Sequence, residues 1–406
     1  MKWPIVKFGE LYSEDSRNGL TKPSKIRGEG YKMVNMGELF SNDYIYDIPM
    51  ELVPLTDKEK QNAKLRVGDL LFARQSLVLE GAGKCSIVMD VSPITVFESH
   101  IIRVRLNKKA NPLFYFYYFN SSLSPIRSIV NQCAQAGIRA SDLKNLNVIH
   151  PPLDVQNKIV EILSKYDNLL FVSKKQINIL EEVIQRLYKE WFVKLHFPGY
   201  KNTMINDGVP YKWFFKPIKD ICVRINAGGT PSRKKRNYWE DPTVKWFKTG
   251  ELQDCFVFES DEMISIDGLN GSSAKLFPEN TILMAIYASP TLGRLGILTS
   301  EAACNQAALC LLSNEEIVSW QWLYLKLYEL RDEFNAIAKG AGQQNISANV
   351  VKSKEVLIPS KKIMDDFTAL VKPIFKKRKI LQNQIILLVE ARDRLLTKLM
   401  NGEISV

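Results

Sequence analysis

Histidine and paired cysteine are the scarcest chemistry in this 406-residue chain. The three histidines, His100, His150 and His196, lie about fifty residues apart, and the six cysteines, at 85, 133, 222, 255, 304 and 310, form no CxxC pair. That spacing excludes a locally built zinc or redox motif, so no metal is expected, and the cysteines and histidines read as structural. No apolar run reaches the length of a membrane span, and Met1-Lys2-Trp3-Pro4-Ile5 lacks the apolar core of a signal peptide. A cytoplasmic protein without a membrane partner is expected. Catalytic constellations are missing too. The only Pro-Pro, in His150-Pro151-Pro152-Leu153, lacks the flanks of an adenine methyltransferase loop. Gly81-Ala82-Gly83-Lys84-Cys85 lacks the first glycine of a phosphate-binding loop and has cysteine where magnesium needs Ser or Thr. The acidic clusters Asp57 to Glu59 and Asp365-Asp366 read as solvated charge. Neither a catalytic residue nor a cofactor is expected.

What the chain does have is ordinary globular composition, 46% hydrophobic and 24% charged, with length for two or three domains. Lysine and arginine outnumber acids 55 to 44, a net charge of +11 that favours a polyanion, nucleic acid first, as partner.

The chain is also duplicated. YKMVNMGEL (Tyr31 to Leu39) returns as VKWFKTGEL (Val244 to Leu252), its Gly-Glu-Leu 213 positions on. GLTKPSK (Gly19 to Lys25) faces GGTPSRK (Gly228 to Lys234). Gly83-Lys84 faces Gly293-Arg294 at an offset of 210, and Ala136-Gly137 faces Ala341-Gly342 at 205. Each copy closes with an extended run into proline, NVIHPP (Asn147 to Pro152) and EVLIPS (Glu355 to Ser360), and then a long helical pattern. Within a copy, short strands and turns dominate: Leu65 to Arg74, Lys84 to Val91 and Glu98 to Leu106, then Thr281 to Ala288 and Gln306 to Leu312. The aromatic stretches Pro112 to Asn120 and Ser319 to Leu330 read as one helix per copy. The fold class is α/β: tandem-duplicated mixed α/β domains joined by two long antiparallel coiled-coil helices.

The helical stretch Leu153 to Leu195 carries a seam of Ile159, Leu163, Tyr166 and Leu170, then Ile177, Leu180, Ile184, Leu187 and Trp191, with Ser173 interrupting. Lys361 to Met400 carries Ile363, Phe367, Leu370 and Ile374, then Leu381, Ile385, Leu388, Arg392, Leu395 and Leu399. Helices of about 40 residues span about 60 Å and need each other as partners. The first delivers the chain to the second copy and the second starts there, so a side-by-side pair runs antiparallel. This predicts a dumbbell with approximate two-fold symmetry and the C-terminus back beside the first copy. Pro373 predicts a break or bend. The expected domains are 1–152, a central helix 153–195, 196–360, and a C-terminal helix 361–406.

Along nearly its whole length the chain resembles the specificity subunit of type I restriction-modification systems. LTKLMNGEISV (Leu396 to Val406) and YKEWFVKLHFPGY (Tyr188 to Tyr200) are similar to the ends of that family's conserved helices. VIHPPLDVQNKIVEIL (Val148 to Leu163) resembles the start of the central helix, and GGTPSRKKRNYWED with VKWFKTGEL the opening of a target recognition domain. The resemblance implies a non-catalytic reader of double-stranded DNA whose two target recognition domains each read half of an interrupted site. It also implies helices that space the halves and dock two methyltransferase (modification) subunits, with restriction subunits in the full complex. Copy one departs from the pattern, with Gly-Leu-Thr-Lys-Pro-Ser in place of the compact Gly-Gly-Thr-Pro-Ser turn. The alternative is a stand-alone duplicated nucleic-acid-binding or scaffold protein with a coiled-coil rod.

Base readout needs directional donors on loops, whereas phosphate contact needs only positive charge or small donors. In copy two the candidates are Thr230, Ser232, Arg233, Lys234, Lys235 and Arg236, then Lys248 and Thr249, and Gln343, Gln344 and Asn345 with amides suited to adenine. In copy one they are Lys22, Ser24, Lys25, Arg27, Arg74 and Arg139, by position. Tyr238 and Trp239 read as core aromatics.

Overall fold

Short apolar runs opened by a left-handed turn become the central strands. Leu70–Ala73 follows Gly68 (φ 88°) and Ile282–Ala285 follows Asn280 (φ 66°); all eight strand residues are buried. The computed structural model describes residues 3–132, 136–287, 291–340 and 345–406. It divides into unit 1, residues 1–171 with 387–406, and unit 2, residues 172–386.

Unit 1 holds a five-stranded sheet of β1 (Tyr12–Asn18), β2 (Tyr44–Ile45), β3 (Leu70–Ala73), β4 (Cys85–Val88) and β5 (Ile101–Leu106), in the order β1-β5-β3-β4-β2. Unit 2 holds β6 (Cys222–Ala227), β7 (Cys255–Val257), β8 (Ile282–Ala285), β9 (Leu295–Leu298) and β10 (Ala308–Ser313), in the order β6-β10-β8-β9-β7. Chain positions one to five therefore pair identically in both, and in each sheet only the pair at the far edge is parallel. A second sheet repeats as well. Tyr31–Val34 lies between antiparallel Glu51–Val53 and parallel Thr95–Phe97, as Val244–Phe247 lies between Glu262–Ile264 and Ala303–Cys304. The runs into proline pair with the start of their own copy, Ile5–Lys7 with Asn147–Ile149 and Phe214–Pro217 with Glu355–Ile358. The duplication read from the sequence is thus a duplication of topology. Its repeated Gly-Glu-Leu has a structural cause: the Glu38 and Glu251 carboxylates accept the Asn35 and Lys248 amides at 2.8 and 2.7 Å, while Leu39 and Leu252 are fully buried. Gly83 and Gly293 share a φ of 78°, a left-handed turn that favours glycine.

Among the ten α-helices of the described residues are α1 (Pro112–Phe119), α2 (Leu153–Tyr188), α3 (Trp320–Glu329) and α4 (Lys361–Asn401). Asn111 and Ser319 cap α1 and α3, accepting amides of their first turns. In unit 1 the start of α2 packs on the end of α4, with Ile159 and Leu163 in one core with Leu396, Leu399 and Met400. The Trp3 indole donates to the Met400 carbonyl at 3.0 Å, so the C-terminal segment does return to the first copy. In unit 2 the end of α2 packs on the start of α4: Tyr188, Trp191 and Phe192 stand 6.4, 5.7 and 4.7 Å from the Phe367 ring. Both contacts are those of an antiparallel pair.

Three details differ from expectation. The helix α4 runs unbroken through Pro373, where Val371 and Phe375 on either side are buried and hold it. Its seam there is Val371, Phe375 and Arg378 rather than Leu370, which is half exposed, because Phe375 also packs on Trp320 and Tyr324 at 5.1 and 5.8 Å. The globular core draws that turn round. The strands are also shorter than the apolar runs: Leu65 to Asp69 is a turn held by Asp69, whose carboxylate accepts the Arg66 amide and pairs with Arg105, both at 2.7 Å. Of the cysteines, Cys85, Cys304 and Cys310 are buried and Cys222 and Cys255 half-buried, while Cys133 lies outside the described residues. His150 bonds the Tyr115 hydroxyl at 2.9 Å, and His196 faces Glu190 at 3.2 Å.

Candidate nucleic-acid interface

In unit 1 the candidate residues lie on loops tied to one another by the backbone. The Leu20 amide donates to the Phe97 carbonyl and the Ser99 amide to Leu20. The Arg74 amide donates to His100, and the Arg74 carbonyl accepts from Ile138, next to Arg139. The same ladder exists in unit 2: the Gly229 amide donates to Cys304, that of Ile286 to Ala307, and that of Ile346 to Ile286. One set of three loops is therefore built twice, at matching ends of matching sheets.

Charge on those loops is unevenly free. Lys22 is nearly buried and paired with Glu59 at 2.9 Å, and Arg27 is paired with Glu51 at 2.6 Å. Hydrogen bonding from Lys22 holds the Glu59 carboxyl below the usual range. Ser24 and Lys25 are exposed in a short turn, and neither Lys25, Arg74 nor Arg139 has an acid partner among the described residues.

In unit 2, Arg233 and Lys248 converge on one carboxylate. Glu262 accepts both, at 2.5 and 3.0 Å, and is held below the usual glutamate range, first by Arg233 and then by Lys248. Arg233 also lies 3.6 Å over the Trp239 ring, whose indole donates to the Ser232 carbonyl at 3.2 Å. Lys235 bonds the Tyr238 hydroxyl at 2.8 Å, and Thr230 donates to Gln306. Tyr238 is buried, as expected, while Trp239 is half-buried and forms the platform for Arg233. Thr249 opens the turn capped by Glu251. Lys234 and Arg236 are exposed without an acid partner among the described residues. Asn345 is exposed beside buried Ile346, whereas Gln343 and Gln344 lie outside the described residues.

The family model for the type I restriction-modification DNA specificity domain matches residues 2–182 and again 210–404. The chain belongs to that family. A specificity subunit of this family is not itself an enzyme. Among similar proteins is the MjaIX type I restriction enzyme specificity subunit of Methanocaldococcus jannaschii, 25% identical over 100% of this chain and 94% of its own length. The HindI specificity subunit of Haemophilus influenzae is 22% identical over 91% and 94%. The crystal structure of the S subunit of a type I restriction-modification system from M. genitalium shares the fold, with a TM-score of 0.61 at 14% identity, covering 98% of this chain and 96% of that one.

Within this specificity-family chain, no group of His, Cys, Asp and Glu among the described residues could hold a metal, and none of their helices is long and apolar enough to cross a membrane. Sequence reasoning passed over Gln75, His100 and Gln306, which stand on the same loops as the candidates. It also passed over Leu77 and Val78, 90% and 58% exposed. Three consecutive apolar residues directly after the polar Gln75-Ser76 are the signal that could have found them.

Proposed function

We propose that this chain is the DNA-reading subunit of a type I restriction-modification complex, each unit reading one half of a bipartite site in double-stranded DNA. The observation that carries this is the repeated loop ladder: the loop that presents Arg74 and Gln75 in unit 1 carries Ile286 and Tyr287 in unit 2, while the loop that carries Lys22 to Arg27 in unit 1 carries Thr230 and Arg233 to Arg236 in unit 2. Equal scaffolds with unequal side chains suit two half-sites of different sequence. The helices dock two modification subunits, with restriction subunits in the complete assembly. Apolar positions left open on them support this: Leu169, Phe171 and Leu387 in unit 1, Ile179, Val183 and Ile380 in unit 2. The helix pair also sets the gap between the half-sites.

The test is to purify the chain together with a type I methyltransferase subunit from the same source, map methylated adenines genome-wide, and measure DNA binding. An interrupted two-part motif with binding that needs both parts is expected. A continuous motif, or failure to associate with any methyltransferase, contradicts the proposal. Deleting one heptad from each helix, Ile177 to Val183 and Leu381 to Leu387, shortens the pair by about 10 Å and is expected to abolish binding at the original spacing. Full affinity for that spacing removes the ruler and leaves docking alone.

A further inference from the structure

Unit 1 carries an apolar tip that its own core does not use. Leu77, Val78 and Leu79 are 90, 58 and 38% exposed, beside Phe40 at 39%. Leu77, Val78 and Phe40 line, with Met36 and His100, an open groove of about 480 Å³.

The tip is held out by its backbone. Ser76 Oγ accepts the Val78 amide at 3.2 Å, the Val78 carbonyl accepts the Gly81 amide at 3.2 Å, and Arg127 donates to the Leu79 carbonyl at 3.3 Å. A Cβ on Gly81 would stand 2.2 Å from Ser76 Oγ and would push that hydroxyl off the Val78 amide. Strand pairing of Gln75 with Gly137 and of Ser76 with Ala136 fixes the base of the loop.

Its flanks are cationic and polar. Arg74 and Gln75 lead into it, and Arg139 follows the residue that bonds the Arg74 carbonyl; neither arginine has an acid partner among the described residues. An apolar point between free cations fits a duplex groove, where phosphates line the sides and base edges the floor. In the major groove the one apolar group a base offers is the 5-methyl of thymine.

We propose that Leu77, supported by Val78, reads a thymine methyl in the half-site of unit 1. This rests on the DNA-reading function proposed above and assigns it a specificity-determining residue. The sequence of unit 2 carries no such triplet at the matching loop. Ala285 and Gly293 are eight residues apart where Ala73 and Gly83 are ten apart, and the intervening sequence has Ala288-Ser289-Pro290 in place of the apolar triplet.

The experiment uses the full chain assembled with its methyltransferase, on duplexes carrying the mapped site. Each thymine is replaced in turn by deoxyuridine, which pairs identically and lacks the methyl. At one thymine the wild-type complex is expected to lose about fourfold in affinity, the value of one buried carbon. Leu77→Ala is expected to weaken binding to thymine DNA and to bind the uracil duplex no worse than the thymine one. Leu77→Asn is expected to relax base preference at that position alone.

Three results overturn the inference while leaving the DNA-reading function standing: a Leu77→Ala complex with full affinity and motif, one weakened equally on all sequences as an unspecific wedge would be, or undiminished sensitivity to uracil. Loss of bipartite binding by the wild-type complex would instead fault the function itself. Unchanged thermal unfolding of the variants separates lost readout from lost fold.

Discussion

Arg74 and Arg233 stand on corresponding loop sets of the two units, and their surroundings differ. Arg233 is clamped between Glu262 at 2.5 Å and the Trp239 ring at 3.6 Å, while Arg74 has no acid partner among the described residues. The unit with the denser cationic loop, Arg233 to Arg236, therefore offers fewer free charges than its sequence suggests. The comparison teaches that basic residues in a loop measure the capacity to meet phosphate only after internal carboxylates are subtracted. In Arg233 and Lys248, one glutamate turns two cations into a shaped, partly neutral surface.

The helix contacts show the same contrast. In unit 1, Asp167 of α2 takes Arg392 of α4 at 2.8 Å together with the Tyr44 and Tyr117 hydroxyls, each at 2.5 Å. In unit 2, Arg378 of α4 bonds the Asp254 carbonyl and meets Glu181 of α2 at 3.4 Å. Burial first, then the neighbouring Tyr117 and Asp167, pushes the Tyr44 hydroxyl well above the usual tyrosine range, so it stays a donor at any working pH.

If Gly-Glu-Leu is scaffold and not reader, the two copies must suffer alike. Leu39→Ala and Leu252→Ala each empty a fully buried site and are expected to cost about 2–5 kcal/mol in denaturant unfolding, with the recognised motif unchanged in whatever folds. A changed motif would place these residues in readout.

The helix contacts, by contrast, should respond unequally. Asp167→Ala leaves the Tyr44 and Tyr117 hydroxyls without their carboxylate acceptor in unit 1, while Arg392 keeps Asp393 at 2.9 Å, and is expected to cost about 3 kcal/mol. Glu181→Ala is expected to cost less, since Arg378 keeps the Asp254 carbonyl. Equal losses in thermal or denaturant unfolding would erase the distinction.

The smallest expected effects concern charge. Replacing Lys234 and Arg236 by alanine, or Arg74 and Arg139, is expected to reduce the salt dependence of DNA binding by about 2 in log-log slope in either unit. Glu262→Gln is expected to steepen that slope and tighten binding a few-fold by freeing Arg233 and leaving Lys248 with Asp261 alone at 3.7 Å. Because the Glu262 carboxyl is held below the usual glutamate range, the clamp is intact at neutral pH and opens only as pH falls through that lowered value. Unchanged binding by Glu262→Gln would show that the clamped cations do not face DNA.

The repeat was legible because several shared features have a local cause: a glycine at positive φ, a carboxylate capping three residues back, a proline ending a strand; Ala341-Gly342 lies outside the described residues. The helical seam was legible wherever the helices pack mainly on each other. It failed at Leu370 because Trp320 and Tyr324, distant in sequence, decide which face of α4 is buried. The site was legible as loops but not as free charge. Lys22 meets Glu59 across 37 positions and Lys248 meets Glu262 across 14, and nothing in composition announces such partners.

The central claim is that two independent readers share one chain. It is tested most directly by exchanging residues 1–152 for the corresponding segment of a relative, and mapping the adenine methylation motif of the assembled complex before and after. One half of the motif is predicted to change while the other half stays as it was. A motif rewritten in both halves, or in neither, would contradict the account.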